Sequence, residues 1–293
     1  WPVFIDAEPK YWQMDPGCVA DFLERQCAWQ NGALYNKATE RKVAAIIPVH
    51  ILGHPVEMDP ILTAARKYRL QVIEDATEGL GAKYRGQSLG GLGDVGCFSF
   101  NGNKLITTGG GGMLVTNNEA WARRAKYLST QAKDDDVEYI HNEIGYNYRL
   151  TNLQAALGCA QMEHLRDYVE AKRRIATRYA DAFKGLAGIE SMTEAPWAFS
   201  TCWMFTALLE EARFGMTSRE LLHYLREHKI QTRPLWRPIH QSPAHHQCQK
   251  DRYPVADRLN ATALSLPCSV GLTPEAQNRV IERIWAAAAS GRR

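Results

Sequence analysis

The residue with the most chemistry in reach is Lys104. It stands in Gly96-Cys97-Phe98-Ser99-Phe100-Asn101-Gly102-Asn103-Lys104-Leu105-Ile106-Thr107-Thr108, and four glycines, Gly109 to Gly112, follow. Most lysines are solvated surface groups. Here a strand-like run ends in a polar turn, and the glycines let backbone approach a bound group closely. A lysine that does covalent chemistry needs desolvation or a neighbouring charge to tune its amine. Ser99, just upstream, is a hydroxyl donor suited to a phosphate. A second element is Val72-Ile73-Glu74-Asp75-Ala76-Thr77-Glu78, where an acid ends another apolar run. Asp75 there either caps the next turn or meets a cation or donor.

A lysine and an aspartate at neighbouring strand ends are what pyridoxal phosphate requires. The amine forms a Schiff base, and the carboxylate keeps the pyridine nitrogen protonated so that the ring serves as an electron sink. Other motifs are weaker. Gly91-Leu92-Gly93-Asp94-Val95-Gly96 fits a dinucleotide pattern but precedes a strand instead of following one. Lys104 lacks the flanking residues of a phosphate-binding P-loop. His50 and His54 share a helical spacing, but they sit on a strand end and a Gly-Pro loop. His240, His245, His246 and Cys248 are metal-capable, yet no second spaced cluster accompanies them, so no metal is expected.

These residues need elements to carry them. Strands are expected over Val3–Asp6, Val43–His50, Gln71–Glu74, Val95–Phe100 and Gly112–Thr116. Asp15-Pro16 and Asp59-Pro60 read as helix starts, with Asp as N-cap and Pro in the first turn. A further helix follows over Glu119–Leu128. Alternation of this kind means a mostly parallel sheet covered by helices, with ligands at the carboxyl ends of its strands. His50, Asp75 and Asn101 all fall just past such ends. Thr151-Asn152-Leu153-Gln154 is a capping box opening a long amphipathic helix over 151–183, expected to link two domains. Beyond Gly185 the pattern becomes α+β: a strand over Thr201–Leu209, a helix from the capping box Thr217-Ser218-Arg219-Glu220, a short strand over Ile230–Arg233, and a last helix from Thr273-Pro274. Residues 1–160 then form a cofactor-binding domain, and 161–293 a smaller one.

Composition excludes several classes. In 293 residues, 45% are hydrophobic and 23% charged, which is ordinary for a globular chain. Lys and Arg number 35 against 32 acids, a net charge of +3, too balanced for nucleic acid binding. No apolar run reaches the ~20 residues that span a bilayer. Seven cysteines without a C-x-x-C pair indicate reduced thiols in the cytoplasm. The tail Gly291-Arg292-Arg293 reads as a solvated end. The chain starts at Trp1 as though already inside a strand, so it is expected to continue a longer protein.

The ordered set of motifs strongly resembles the DegT/DnrJ/StrS family of sugar aminotransferases, a branch of the aspartate-aminotransferase fold (fold type I). The resemblance lies in Ile47-Pro48-Val49-His50 with Gly53, Glu74-Asp75-Ala76, Gly93-Asp94, Phe98-Ser99-Phe100, Lys104 and Thr107 to Gly112. It continues in Gly145-Tyr146-Asn147-Tyr148-Arg149-Leu150-Thr151-Asn152-Leu153-Gln154, Arg233-Pro234 and Pro238-Ile239-His240. The resemblance implies an α/β fold of type I, with a large, mostly parallel domain lacking its N-terminal part and a smaller α+β domain. It implies pyridoxal phosphate as cofactor, Lys104 as Schiff-base lysine and proton shuttle, and Asp75 at the pyridine nitrogen. It also implies Ser99 at the phosphate, Glu78 beside the phenolic oxygen, and Asn147 reaching the phosphate of a second subunit in a homodimer. His240, Asn101 and Arg233 would face a nucleotide-linked sugar, with L-glutamate as amino donor. Within the family the chain looks most like the branch that aminates nucleotide 4-keto-6-deoxy-N-acetylhexosamines toward legionaminic-type acids, on Phe98–Met113 and Gln131–Glu143. Two departures stand out. Glu78 replaces a Gln or His, so it is expected to be protonated by a like charge or turned away. The family's Gly-Thr/Ser phosphate turn and stacking aromatic residue are expected upstream of Trp1. Sugar dehydratases of the family, with His in place of the lysine, and an inactive fragment or binding protein are the alternative readings.

Overall fold

A computed structural model describes residues 1–135, 137–249 and 251–290. Asp136, Lys250 and the expected solvated tail 291–293 lie outside them. In chain order the elements are α1 (Pro16–Asp21), β1 (Cys27–Gln30), β2 (Ala33–Asn36), β3 (Ala45–Ile46), α2 (Met58–Tyr68), β4 (Gln71–Asp75), β5 (Lys83–Tyr84), β6 (Gln87–Ser88), β7 (Val95–Ser99), β8 (Gly112–Val115) and α3 (Glu119–Ser129). Then come α4 (Asn152–Glu163), α5 (Leu165–Ala182), β9 (Ile189–Ser191), β10 (Ala198–Phe199), β11 (Thr206–Leu209), α6 (Glu211–Phe214), α7 (Ser218–Glu227), β12 (Arg233–Pro234), α8 (Pro254–Thr262), β13 (Ala263–Ser265) and α9 (Pro274–Ser290).

The sheet that matters has the order β3-β4-β7-β8. β3, β4 and β7 are parallel, and β8 closes the edge antiparallel to β7. Asp75 is in register with Cys97, and Ser99 with Gly112, so the carboxyl ends of β4 and β7 lie side by side. A second, antiparallel sheet, β12-β13-β11-β9, carries the later half. Its core of Tyr179, Phe205, Phe214, Leu221, Leu264 and Ile284 packs α5, α7 and α9 on one face.

Several boundaries differ from the sequence pattern, each for a physical reason. Residues 3–6 form no strand. The Asp6 carboxylate instead accepts from Val255 and Ala256 N–H, at 3.0 and 2.9 Å, where a carboxylate suits the start of α8. The expected strand over Val43–His50 is regular only at Ala45–Ile46, with Val49 bridging Asp75. Pro48 has no N–H for a ladder, and Ile47 and Val49 are exposed, so this edge is covered on one face only. α2 starts one residue before Asp59, which pairs with Arg85 at 3.0 Å instead of capping. The helix expected over 151–183 is two helices, interrupted at His164. The two helices differ in cover: Leu153 and Leu157 on α4 are exposed, whereas Ile175 and Tyr179 on α5, and Phe183 at its end, are buried. Both capping boxes are present, at Thr151 and at Thr217. The strand expected from Thr201 starts only at Thr206, and the irregular stretch before it carries Trp203.

Candidate active site

The site forms at the adjoining ends of β4 and β7. Asp75 ends β4, and its Oδ1 accepts the Thr77 N–H at 3.1 Å. Glu78 follows one turn later. Ser99 ends β7, and its Oγ accepts from Asn101 N–H at 3.3 Å. Asn101 carbonyl accepts from Lys104 N–H at 3.0 Å, closing the turn that presents the lysine, while Leu105 and Ile106 are buried behind it. The topology therefore brings together four of the residues expected from sequence: Asp75, Glu78, Ser99 and Lys104.

Lys104 Nζ lies 3.5 Å from Glu78 Oε1, with both side chains nearly buried at 14% and 11% exposure. The other Glu78 oxygen accepts the Leu52 N–H at 2.7 Å. Glu78 therefore faces the lysine and is not turned away. Burial pushes its carboxyl above the usual carboxylate range, partly offset by the Leu52 N–H and the Lys104 charge. The like charge of Asp75 adds a smaller upward push. Leu52 is fully buried at φ 60°, a costly conformation for a branched residue, and it is kept by a dense set of bonds around the 50–56 turn. Gln13 Oε1 accepts from Ile51 N–H, and Gly53 carbonyl accepts from Thr201 N–H and Ser200 Oγ–H.

Two buried residues that sequence reasoning left without a role hold this frame. His50 Nδ1 accepts the Val56 N–H at 3.0 Å, so its ring proton lies on Nε2 and is donated to Glu74 Oε2 at 3.2 Å. The Glu74 carboxylate also accepts from Gly90, Leu92 and Gly93 N–H at 2.8, 2.7 and 2.6 Å. Burial alone would raise its pKa, but these bonds, from His50 and the glycines, carry it below the usual range. The glycine motif that resembles a phosphate cradle is thus a cradle for the protein's own carboxylate. A third residue, Trp203, lays its ring face against Lys104, with Nζ 4.4 Å from the centroid.

Other expected residues stand apart. Asn147 is exposed on the segment after α3, where it bridges Thr130. With Gly111, Met113, Tyr148 and Leu150 it lines a cavity of about 920 Å³. His240 Nε2 pairs with Asp257 at 2.8 Å, its ring against Tyr253. Arg233 lies exposed on β12, whereas Asn101 belongs to the lysine turn itself, its Oδ1 accepting from Gly102 N–H. Among the described residues no hydrogen bond or ion pair joins His240, Arg233 or Asn147 to Lys104. His245 meets Cys248 and His246 meets the Pro243 carbonyl, and no group of three or more His, Cys, Asp or Glu is placed for a metal among the described residues.

The donor set fits pyridoxal phosphate. It offers an amine for an aldehyde carbon, a carboxylate oxygen of Asp75 outside the Thr77 bond for a ring N–H, and the Ser99 hydroxyl for a phosphate. Side chains built at Gly102 or Gly110 would meet nothing within 4 Å, so the turn wall leaves space open.

A parallel sheet carrying a lysine and two acids at its carboxyl edge defines an α/β aminotransferase-type site. The chain belongs to the DegT/DnrJ/EryC1/StrS aminotransferase family, whose model matches residues 1–285. This is a family of pyridoxal-phosphate-dependent sugar aminotransferases. The chain is 41% identical to EpsN of Bacillus subtilis over 285 residues, covering 96% of this chain and 70% of EpsN. It is 37% identical over 284 residues to the GDP-perosamine synthase of Caulobacter vibrioides, covering 96% and 71%. The fold matches the crystal structure of a DegT DnrJ EryC1 StrS aminotransferase from Brucella abortus, with a TM-score of 0.85 at 26% identity, covering 97% of this chain and 73% of that one. It matches S. venezuelae DesV, in complex with a ketimine intermediate, with a TM-score of 0.84 at 29% identity, covering 98% and 72%.

Proposed function

We propose that this chain moves an amino group from L-glutamate to the C4 ketone of a nucleotide-linked 4-keto-6-deoxy amino sugar, on the way to a nonulosonic, legionaminic-type acid, in the cytoplasm. The observation that carries the reading is the nearly buried Lys104 amine, 3.5 Å from Glu78 and beside the Asp75 and Ser99 strand ends. Relatives named GDP-perosamine synthase, at 35% and 37% identity, support a nucleotide-linked sugar as substrate. Pyridoxal phosphate, when bound, supplies the carbonyl that accepts the amine and the ring that stores the electron pair.

The chain's own residues do the rest. Asp75 holds a proton at the ring nitrogen, and Ser99 binds the phosphate. Lys104 takes a proton from one atom of the bound substrate and returns it to another. Glu78, its carboxyl pushed above the usual range by burial, stands 3.5 Å from that amine and fixes the 50–56 turn through Leu52. Cofactor chemistry falls to residues 1–160, and residues 161–293 close over it through Trp203. His240, Arg233 and Asn101 are assigned to the sugar nucleotide.

The same reading makes the protein a homodimer with Asn147 reaching the partner's cofactor phosphate. Its support is apolar surface left open among the described residues: Met113, Leu114, Tyr148, Leu153 and Leu157 are all 45% exposed or more. The test is turnover of a panel of UDP- and GDP-linked keto-sugars with ¹⁵N-glutamate. Label recovered in an amino sugar at C4 supports the proposal. A dehydrated product without label, or no product from any member, overturns it.

A further inference from the structure

Lys104 meets a group from far along the chain. Trp203 lies in the irregular stretch before β11, where Cys202 takes φ 51° and bends the backbone toward the β7 end. The Trp203 ring is 2% exposed and presents its face to the Lys104 ammonium at 4.4 Å. Three further ties fix that ring. Its Nε1–H donates to the Asn103 carbonyl at 3.0 Å, in the very turn that carries Lys104. Its flank packs against Leu105 and Val169. Its carbonyl accepts from Lys172 Nζ at 2.8 Å.

Lys172 is unusual. It is 8% exposed on α5, and among the described residues it has no carboxylate partner. A buried ammonium is costly unless hydrogen-bonded. The other atom within reach is Cys268 Sγ at 3.8 Å, a weak acceptor, so the Trp203 carbonyl is its main anchor. The fold thus places a buried cation where its chief contact is the backbone of the residue under Lys104.

We propose that Trp203 is a positioning residue for Lys104. The ring face and the Glu78 carboxylate hold the amine from two sides, at 4.4 and 3.5 Å, and the Asn103 bond makes ring and lysine turn move as one unit. A long lysine stem loses much rotamer freedom when held this way, and an aromatic face attracts a cation in a site shielded from water. The proposal rests on Lys104 being the reactive amine.

The test uses the protein without added cofactor and reads the amine directly. Trace acetic anhydride labels lysines, and mass spectrometry gives the rate at each one. Trp203 is replaced by 4,5,6,7-tetrafluorotryptophan through an expanded code, which keeps the ring's shape and withdraws electrons from its face. Lys104 labelling is expected to rise roughly fivefold, the size of a cation–π contact, with Lys126 and Lys184 unchanged. Trp203→Phe, which keeps a face and loses the N–H, is expected to fall between the two. An unchanged Lys104 rate in the fluorinated protein, with its melting temperature intact, overturns the proposal. A merely structural tryptophan would give that result, since the packing shape is conserved. Whether Lys104 carries the cofactor is read separately by borohydride trapping, so a failure of that reading is told apart from a failure of the Trp203 contact.

Discussion

Glu74 is the residue whose loss should damage the frame most. It is fully buried, and its carboxylate accepts from three backbone N–H groups and from His50. In Glu74→Gln the amide oxygen can still accept from Leu92 and Gly93. The amide nitrogen then points at the Gly90 N–H and the His50 Nε2–H, donor against donor. Two bonds to a charged acceptor are lost, at ~1.5–3 kcal/mol each, so the expected destabilisation is about 3–6 kcal/mol. Turning the amide over only exchanges which donors face the nitrogen. Urea unfolding at pH 7, followed by tryptophan fluorescence, should show a lower midpoint with an unchanged slope. Glu24→Gln makes the same chemical change in an exposed pair, Lys67–Glu24 at 2.9 Å, and should leave the midpoint where it is. A Glu74→Gln loss below about 1 kcal/mol would refute the reasoning, because a buried donor facing a donor cannot cost so little.

Two further outcomes follow from hydrogen bonds elsewhere in the chain. His54 is fully buried, donates Nδ1–H to the Pro55 carbonyl and accepts the Ala195 N–H at 3.0 Å; burial pushes its pKa down to about 4. The unfolded chain takes up this proton below about pH 6.5 and the folded one only near 4. The contribution is therefore complete above pH 6.5 and is lost as pH falls toward 4. Urea titrations should show about 2 kcal/mol lost from this group between pH 7 and 5, and a shallower slope in His54→Gln. Thr217→Ala removes one half of the α7 capping box and should cost about 1 kcal/mol, measured by the same unfolding.

Much of the frame was legible because local rules and tertiary structure agree. Asp15-Pro16, both capping boxes and the strand over 71–75 are set by residues within a turn of each other. Asp75, Ser99 and Lys104 were legible as candidates because parallel strands deliver their carboxyl ends to one edge. The failures are long-range. The Val3–Asp6 run is apolar enough for a strand, but Asp6 is taken by the start of α8, far away in sequence. Glu74 and His50 are polar residues that satisfy each other across a parallel sheet, and nothing local shows that two lone side chains will pair. Trp203 had no signal at all, since an aromatic residue in a strand-like run reads as core. The contacts that hold that ring against the lysine, with Asn103, Leu105, Val169 and Lys172, all come from residues far away in sequence. The 151–183 stretch read as one amphipathic helix, yet Leu153 and Leu157 on α4 are exposed, because periodicity shows that a face wants cover and not what supplies it.

The central claim is that Lys104 is the residue that holds the cofactor. The most direct measurement is to load the protein with pyridoxal phosphate, reduce it with borohydride, digest it and map the pyridoxyl group by mass spectrometry. The account predicts one modified lysine, Lys104, with the cofactor's absorbance band lost in Lys104→Ala. Modification of another lysine, or an unchanged band in Lys104→Ala, would contradict it.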